Sequence, residues 1–428
     1  MRKLLFTAAL SLLAFGQEES FWHFSGEWKS YNLNNIKTGS VTADTWDLAT
    51  GGQLIAQSPK TSPWQVKVNL MTANALFPSS DMSHYDGSLV ARDDAARTGV
   101  ATDKATNFGV AGEAYVGYRD STWDVRLGRQ KIATPLAHHK EGARLLPSTF
   151  SGATLAYKNE AWGVGTSYLD SFKQRTSSQF INILEHALGT QTAHYTGQTQ
   201  GDMYIVDAHL SYENIALKAY QYFMPNFISM LYAQGDMRLG DALLQAQVLH
   251  ENSVGVFDTN LRNGTTIGGK SYTKGVDVLT LAGKATYAIT PHTKASLAAS
   301  ANFAFADAYS NVMAFYDGTP LFTDTLTGNV LFSSNYGKAL GTTDSSYKAG
   351  TLGANATLSH RWDEHLSMQL VYAQYRQNFS IAQHDINAVI DYTLGAWSVA
   401  AKAIWVVDNG QVAGDFFAQY RLISVYHF

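Results

Sequence analysis

The stretch from 123 to 152, WDVRLGRQKIATPLAHHKEGARLLPSTFSG, decides the fold of this chain. Its first residues alternate between apolar and polar side chains, which predicts a β-strand, and Pro135 ends the pattern. Alternation resumes at Thr149, after the basic loop 136–148. Pro135 and Pro147 restrict this loop because proline fixes its own φ and constrains the residue before it. The stretch therefore predicts two strands whose connecting loop holds positive charge over the space that the strands enclose.

The same alternation recurs along the chain, in runs of about ten residues bounded by Asp, Asn, Gly and Trp. Aromatic residues make up 12% of the sequence, whereas charged residues make up only 15% and there are only 8 prolines. After the N-terminal segment, no apolar run approaches the roughly 18 residues that a membrane-spanning helix needs. The pattern favours β-strands that each have one apolar face.

The N-terminal segment 1–16 has the features of a secretory signal peptide. Arg2 and Lys3 precede the apolar segment 4–15, and small residues follow at the predicted cleavage site before Gln17. Residues 17–428 are then expected to form a single domain. The chain contains no cysteine, so an exported protein of this sequence has neither disulfides nor thiolate metal ligands.

Two all-β architectures could explain alternating strands, a soluble sandwich and a transmembrane barrel. The aromatic residues at strand ends resemble the interfacial girdles of membrane barrels. The predicted connections alternate between short and long. The chain ends in Tyr426-His427-Phe428, and a terminal aromatic after an alternating strand resembles the signal that barrel-assembly machinery reads. These features favour an antiparallel transmembrane β-barrel.

Counting gives eighteen strands, with short turns on the periplasmic side and long loops on the outer side. Their predicted centres lie near residues 26, 50, 70, 114, 127, 154, 166, 208, 219, 232, 246, 282, 298, 355, 370, 391, 402 and 422. The longest links are 78–107, 136–148, 173–201, 252–275 and 304–348. We expect the first strand, about 21–33, to pair with the last, about 415–428, because unpaired backbone groups in hydrocarbon are costly.

The opening stretch resembles the OprD family of Gram-negative outer-membrane porins. The likeness rests on VRLGRQKIATP at 125–135, on RLLP at 144–147, on FSG at 150–152 and on the hairpin 162–175. Gly142-Ala143 stand where the family usually has an acidic residue before the Arg. The resemblance implies an 18-stranded channel, narrowed by the loops 136–148 and 173–201, that takes up small solutes such as carboxylates and amino acids.

Basic residues opposite the apolar faces point to an anion path along one wall, like the basic ladder of that family. They are Lys29, Lys67, Arg119, Arg126, Lys218, Lys284, Lys402 and Arg421. The acids predicted on the same inward face are Glu27, Glu113, Asp207 and Asp391. Polar lumen walls also need charged residues for hydration alone, so a structural role is the alternative. The predicted path comprises Arg126, Arg129, Arg144, Lys173, Arg175, Lys218, Lys284, Lys402 and Arg421.

Three other residue patterns are weaker candidates for a catalytic or metal-binding site. Asp207, His209 and Ser211 share one predicted strand face, but neighbours on such a face are about 6.6 Å apart and do not make a catalytic triad. The adjacent His138 and His139 are expected to point apart, which argues against a metal site. Asp81, Asp86, Asp93 and Asp94 lack the ligand spacing of a calcium loop. We therefore expect no cofactor, no metal and no enzymatic activity.

The favoured hypothesis is a passive, substrate-selective channel for small anionic or zwitterionic solutes in the bacterial outer membrane. Its expected partners are outer-membrane lipid and small polar solutes, and it is expected to be a monomer or a weak homotrimer. The formal net charge of −4 argues against a nucleic-acid partner. It also leaves open a general-diffusion porin with cation preference. A third alternative is an adhesion or structural barrel that works through outer loops such as 304–348.

Overall fold

A computed structural model shows a closed, all-antiparallel β-barrel. It describes the residues 22–38, 44–76, 89–90, 107–142, 144–188, 192–264, 266–267, 270–271, 273–304, 316–318, 321–326, 351–377, 381–408 and 413–428. The predicted signal peptide, 1–16, lies outside this part of the chain.

Eighteen strands in sequence order form the barrel wall. The first nine are β1 (His23–Thr38), β2 (Thr45–Gln57), β3 (Trp64–Ala75), β4 (Phe108–Arg119), β5 (Trp123–Gln130), β6 (Thr149–Lys158), β7 (Trp162–Lys173), β8 (Met203–Tyr212) and β9 (Ile215–Met224). The others are β10 (Ile228–Leu239), β11 (Ala242–Ser253), β12 (Asp277–Thr290), β13 (Thr293–Ala304), β14 (Thr351–Arg361), β15 (Leu366–Gln377), β16 (Gln383–Leu394), β17 (Trp397–Val407) and β18 (Phe416–His427).

Pairing of β1 with β18 closes the barrel, as the sequence predicts. The register runs from Glu27 opposite His427 to Thr38 opposite Phe416. Beyond it, the Gly26 N–H donates to the Phe428 carbonyl at 2.8 Å, and the Phe428 N–H donates to the Gly26 carbonyl at 3.1 Å. Since each strand is paired on both sides, the closed sheet leaves no open edge in the bilayer.

Each of the eighteen predicted strand centres lies within its strand, and the predicted tight turns connect the strands at one end. The long links leave from the other end. One prediction is wrong in detail: the links on this outer side are not all long, since only residues 225–227 join β9 to β10. The first strand also extends to Thr38, five residues beyond its predicted end.

The two faces of the wall differ in polarity. Outward side chains are mostly apolar and exposed, among them Leu127 at 61% and Leu297 at 67%. Near the short turns, aromatic rings of neighbouring strands pack together, with centroids 5.4 Å apart for Trp64 and Tyr118 and 4.8 Å apart for Trp397 and Tyr426. An apolar belt bounded by aromatic rings fits the lipid surface of a membrane barrel. Among the described residues, no helix has the length and apolar character to cross a membrane.

Several outer links contain short elements of their own. A two-residue strand, Ile181–Asn182, pairs with the end of β7 and leads into α1 (Ile183–Leu188) and α2 (Thr192–Thr196). The link after β11 contains α3 (Gly255–Arg262) and a small hairpin of Thr266–Ile267 with Lys270–Ser271. The larger group of buried apolar residues joins these links to the inner wall, and includes Leu136, Leu184, Tyr222, Phe257 and Tyr316.

Two glycines of the opening stretch shape the root of the loop between β5 and β6. Gly128 and Gly152 are register partners with φ values of 127° and 153°. A Cβ at Gly152 would lie 1.9 Å from the Tyr168 carbonyl oxygen, and one at Gly128 would lie 2.3 Å from that of Ala114. The pairing of β6 with β7 is also irregular between Ser151 and Gly152. Glycine is required here because a side chain has neither the space nor the backbone conformation.

We predict that Gly152→Ala lowers the free energy of unfolding by about 1–3 kcal/mol, because it adds backbone strain and a contact with Tyr168. Thermal unfolding in detergent, followed by the gel mobility of the folded barrel, measures this change. Gly283→Ala is the matched control, since the nearest atom to its Cβ is 3.9 Å away. Equal stability of the two variants would contradict the prediction.

Candidate functional site

The loop between β5 and β6 crosses the barrel interior. The Leu136 N–H donates to the Tyr222 hydroxyl on β9 at 3.2 Å, so the loop reaches a wall four strands from its own root. Leu136 and Ala137 are completely buried. The predicted inward course of the loop 136–148 is thus confirmed for its described residues.

A second inward segment, 316–318, was not expected. The Tyr316 N–H donates to the Leu136 carbonyl at 2.8 Å, and the His138 N–H donates to the Tyr316 carbonyl at 2.9 Å. The Tyr316 hydroxyl donates to the carbonyl of Ile183 in α1 at 2.7 Å. Tyr316 therefore joins three outer links inside the barrel, and the described part of 173–201 takes part in this packing.

The turn formed by residues 321–326, which we call the lumenal turn, is bound along the opposite inner wall. Its backbone and hydroxyl groups make hydrogen bonds of 2.6–3.2 Å to side chains on β11, β14, β15, β16 and β18. These side chains are Gln247, Asn355, Tyr375, Asp385, Asn387 and Arg421. The sequence-based hypothesis placed 304–348 at the outer surface, which is wrong for 316–318 and 321–326, because alternation in strands does not reveal where a long link returns.

A buried group of charges holds the inward links together. Arg175 Nη2 lies 2.8 Å from Asp317 Oδ1, and the Ser148 hydroxyl donates to the other oxygen of Asp317. Lys173 is fully buried, and its ammonium donates to the carbonyls of Pro147 at 3.2 Å, Gln174 at 3.2 Å and Ser177 at 3.5 Å. Lys173 and Arg175 were predicted in the solute path. In this structure they connect the loops to one another.

A cavity of about 370 Å³ lies between these links and the wall of β9 to β11. Two lysines, Lys140 from the loop and Lys218 from β9, contribute positive charge to it. Asp317, which already pairs with Arg175, is the one carboxylate of its lining. The complete lining is Ala133, Thr134, Pro135, His138, Lys140, Lys218, Tyr220, Tyr232, Gln234, Gln247, Asp317 and Phe322.

Burial alters the loop groups of this cavity. It lowers the pKa of Lys140 to about 8, with repulsion from Arg175 adding to the effect and Asp317 opposing it, so Lys140 remains mostly charged at pH 7. Burial also lowers the pKa of His138, helped by His139 and Lys140. Lys140 has a φ of 47°, an uncommon conformation for a residue with a side chain. At pH 7 the imidazole of His138 is therefore neutral, whereas the nearby ammonium group of Lys140 is mostly charged.

On the wall of β1 to β5, inward cations form ion pairs with neighbouring carboxylates. Lys29 pairs with Glu27 at 2.6 Å, Lys67 with Glu113 at 2.9 Å, and Arg126 with Asp124 at 2.7 Å. Lys131 pairs with Glu141 at 2.8 Å. Arg126 was predicted to lie in the anion path. Its charge is balanced by Asp124, which lies two residues earlier on the same inward face.

The wall of β9 to β18 differs. The side chains of Lys218, Lys284 and Lys402 form neither an ion pair nor a hydrogen bond with any described residue. Lys284 Nζ lies 6.0 Å from the centre of the Phe322 ring. Lys402 and Arg421 are register partners on β17 and β18, and Arg144 from the loop adds its charge to both. Three lysines of this wall thus have no carboxylate within ion-pair distance among the described residues.

One predicted path residue is placed elsewhere. Arg129 has the same strand parity as Val125 and Leu127, which are exposed on the outer face. Its guanidinium carbon lies 4.4 Å from the centre of the Phe180 ring, and Nη1 donates to the Ala111 carbonyl at 3.3 Å. Arg129 is therefore not a lumen-facing residue.

The remaining candidate sites gain no support from the geometry. Asp207, His209 and Ser211 share the inward face of β8, yet no hydrogen bond joins any two of them. The rings of His138 and His139 stack at 4.7 Å and do not point apart, so that expectation is wrong. Within the described ranges, no three His, Asp or Glu residues are grouped as metal ligands would be. Asp81, Asp86, Asp93 and Asp94 lie outside those ranges.

No protein-family model matches the sequence, and no curated protein matches it. Solved structures do. OccK9 (OpdG) of Pseudomonas aeruginosa superposes with a TM-score of 0.71 at 15% identity, over 96% of this chain and 100% of that one. OccAB1 of Acinetobacter baumannii gives 0.69 at 14% identity, over 96% and 98%.

OpdK of P. aeruginosa, described as an outer membrane protein, superposes with a TM-score of 0.69 at 15% identity, over 95% of this chain and 98% of that one. A further structure of OpdK contains vanillate. At these identities the likeness shows the fold: the chain has the 18-stranded barrel of these OprD/Occ proteins.

We predict that Arg175→Met lowers the free energy of unfolding by about 3–5 kcal/mol, because it leaves the buried Asp317 carboxylate without its cation. The double variant Arg175→Met, Asp317→Asn should recover part of this loss. Denaturant titration in detergent micelles measures both. The control is Arg262→Met, which breaks an exposed pair with Asp258 on α3 and should cost about 0.5 kcal/mol or less. A double variant no more stable than Arg175→Met would contradict the predicted coupling.

Proposed function

We propose that this protein is an outer-membrane channel through which small anionic and zwitterionic solutes, carboxylates above all, diffuse passively. The observation that carries the proposal is the set of inward lysines without a carboxylate partner among the described residues, Lys218, Lys284 and Lys402, the last of which lies directly opposite Arg421. Like charges directly opposite each other on neighbouring strands repel, so their juxtaposition has an energetic cost in the empty channel. A passing anion offsets that cost.

The cavity beside the loop between β5 and β6 supports the same class of solute. A volume of about 370 Å³ suits a small organic molecule. Lys140 and Lys218 can attract a carboxylate, while the Tyr220 and Tyr232 rings, 6.2 Å apart, offer an apolar surface for the rest of the solute. The paired Asp317 is the nearest group for the ammonium of a zwitterion. Several weak sites in succession allow a solute both to enter and to leave.

The similar structures support a channel of this kind. OpdK has been solved with vanillate, a carboxylate, and has the same fold as this chain. Location in the outer membrane fits the apolar belt and the aromatic rings at its edge. The alternative of a cation-preferring porin rests on the net charge of −4. The ion pairs of the wall argue against it, because Glu27, Glu113 and Asp124 on β1 to β5 each already have a cation partner.

We predict that neutralising the unpaired cations together, in Lys218→Gln, Lys284→Gln, Lys402→Gln, reduces the preference for anions. Each removed charge weakens attraction to a nearby anion by about 1 kcal/mol even at the dielectric constant of water, which corresponds to about fivefold in occupancy. Reversal potentials across a potassium chloride gradient in planar bilayers measure the preference. Liposome uptake of benzoate relative to a neutral sugar provides a second measure, and the ratio should fall at least fivefold.

The control is Lys67→Gln, Glu113→Gln, which removes one paired cation and its carboxylate without changing the net charge. It should leave both measurements unchanged. A wild-type reversal potential of the cation-selective sign would refute the proposal, and a wild-type barrel that conducts no ions would favour the adhesion hypothesis.

A further inference from the structure

The lumenal turn, residues 321–326, carries a carboxylate at its centre whose environment does not suit a negative charge. Asp324 as a whole residue is only partly buried. Its Oδ2 accepts one hydrogen bond, from the Leu321 N–H at 3.1 Å, while Oδ1 is buried and has no hydrogen-bond partner among the described residues. An ionised carboxylate in such a place is costly, whereas a protonated one costs much less.

The groups that face Asp324 come from three elements besides its own. Among the described residues, the cation that acts on it is Lys140, on the loop between β5 and β6. The phenols of Tyr232 on β10 and Tyr375 on β15 are the others. Burial raises the pKa of Asp324 to about 7, and both Lys140 and the Leu321 N–H oppose this rise without cancelling it.

Everything else about the lumenal turn favours its bound position. Its hydrogen bonds reach five strands of the inner wall, and the Thr323 hydroxyl lies 2.7 Å from that of Ser300 on β13. Phe322 lines the solute cavity directly. A change in the position of this turn therefore changes the width of the passage.

We propose that the lumenal turn is a proton-controlled gate: protonated Asp324 keeps the turn against the inner wall, and ionisation of Asp324 releases it. The pore is then narrower in acid and wider at neutral pH. The inference requires that the chain conduct ions, but it does not depend on the preference for anions.

The direction of the pH effect follows from the two states of the turn. Asp324 has a pKa of about 7 when the turn is bound, and the ordinary value of 3.8 when the turn is released into water. The bound position is therefore fully favoured below about pH 4 and loses stability as the pH rises to about 7, by up to about a thousandfold in the equilibrium. Lys140 stays cationic and the tyrosines stay neutral throughout this range.

Single-channel conductance between pH 4 and pH 8 tests the proposal. We expect the wild-type conductance to rise about twofold or more across this range. Asp324→Asn mimics the protonated acid and should remain at the low conductance at every pH. The matched control is Asp391→Asn, which removes an exposed inward carboxylate on β16 and should preserve the rise. A rise that persists in Asp324→Asn would overturn the proposal.

A cross-link provides a test that does not depend on Asp324 variants. The chain has no cysteine, so Ser300→Cys, Thr323→Cys introduces one defined pair at a position where the two hydroxyls nearly touch. Oxidation should hold the conductance at its low value even at pH 8, and reduction should restore the rise. An oxidised channel that still opens would show that this turn is not the moving part.

His138 is another titratable group in the lining of the same cavity, and burial lowers its pKa, so His138→Gln is the last variant to test. This variant should keep the pH-dependent rise. Loss of the rise in His138→Gln, together with its retention in Asp324→Asn, would assign the effect to the histidine and refute the proposal. Wild-type conductance that does not vary with pH would refute the gate and leave the proposed transport function standing, whereas absence of conductance would refute the transport function itself.

Discussion

The structure depends on one constraint: a backbone N–H or C=O group has no water to bind inside a bilayer. Each such group must find a partner within the chain, and an antiparallel sheet achieves this only when its first and last strands pair. Here β1 and β18 pair along twelve consecutive positions, up to Thr38 opposite Phe416. Closure in turn fixes the alternation of every strand, because one face must meet lipid and the other must meet the enclosed space.

That enclosed space creates a second requirement, which the loops between strands satisfy. An eighteen-stranded barrel is wide enough for an aqueous channel, so selectivity depends on chain that folds inward. Backbone in the lumen also needs hydrogen-bond partners, and the structure supplies them through inward polar side chains such as Asn355 and Asn387. The polar inner wall thus has two roles. Part of it binds the inward segments, and the remainder faces the solute.

The fold could be predicted from sequence because strand alternation and turn residues are local signals. All eighteen strands followed from them. The charged residues of the site could not be sorted in the same way. Lys173 and Lys218 were both predicted in the solute path, yet one is buried among carbonyls and the other lines the cavity. The difference arises from how long links fold back, which no local pattern encodes. Arg129 is a simpler case, since its parity with Val125 and Leu127 was already visible in the sequence.

Paired and unpaired cations have different roles in the lumen: the paired cations make it rigid, and the unpaired cations serve transport. A buried cation with a partner, such as Arg175 beside Asp317, holds its surroundings in one arrangement because separation would leave a charge uncompensated. An unpaired cation facing water, such as Lys402, can bind and release a solute without breaking an ion pair within the protein. A selective pore needs both kinds, because a constriction that moved freely could not select by size and one whose charges were all paired could not attract an anion. Asp324 belongs to neither kind. It is an acid with one buried oxygen that lacks a partner among the described residues, and in the proposed gate its proton determines the position of its own turn.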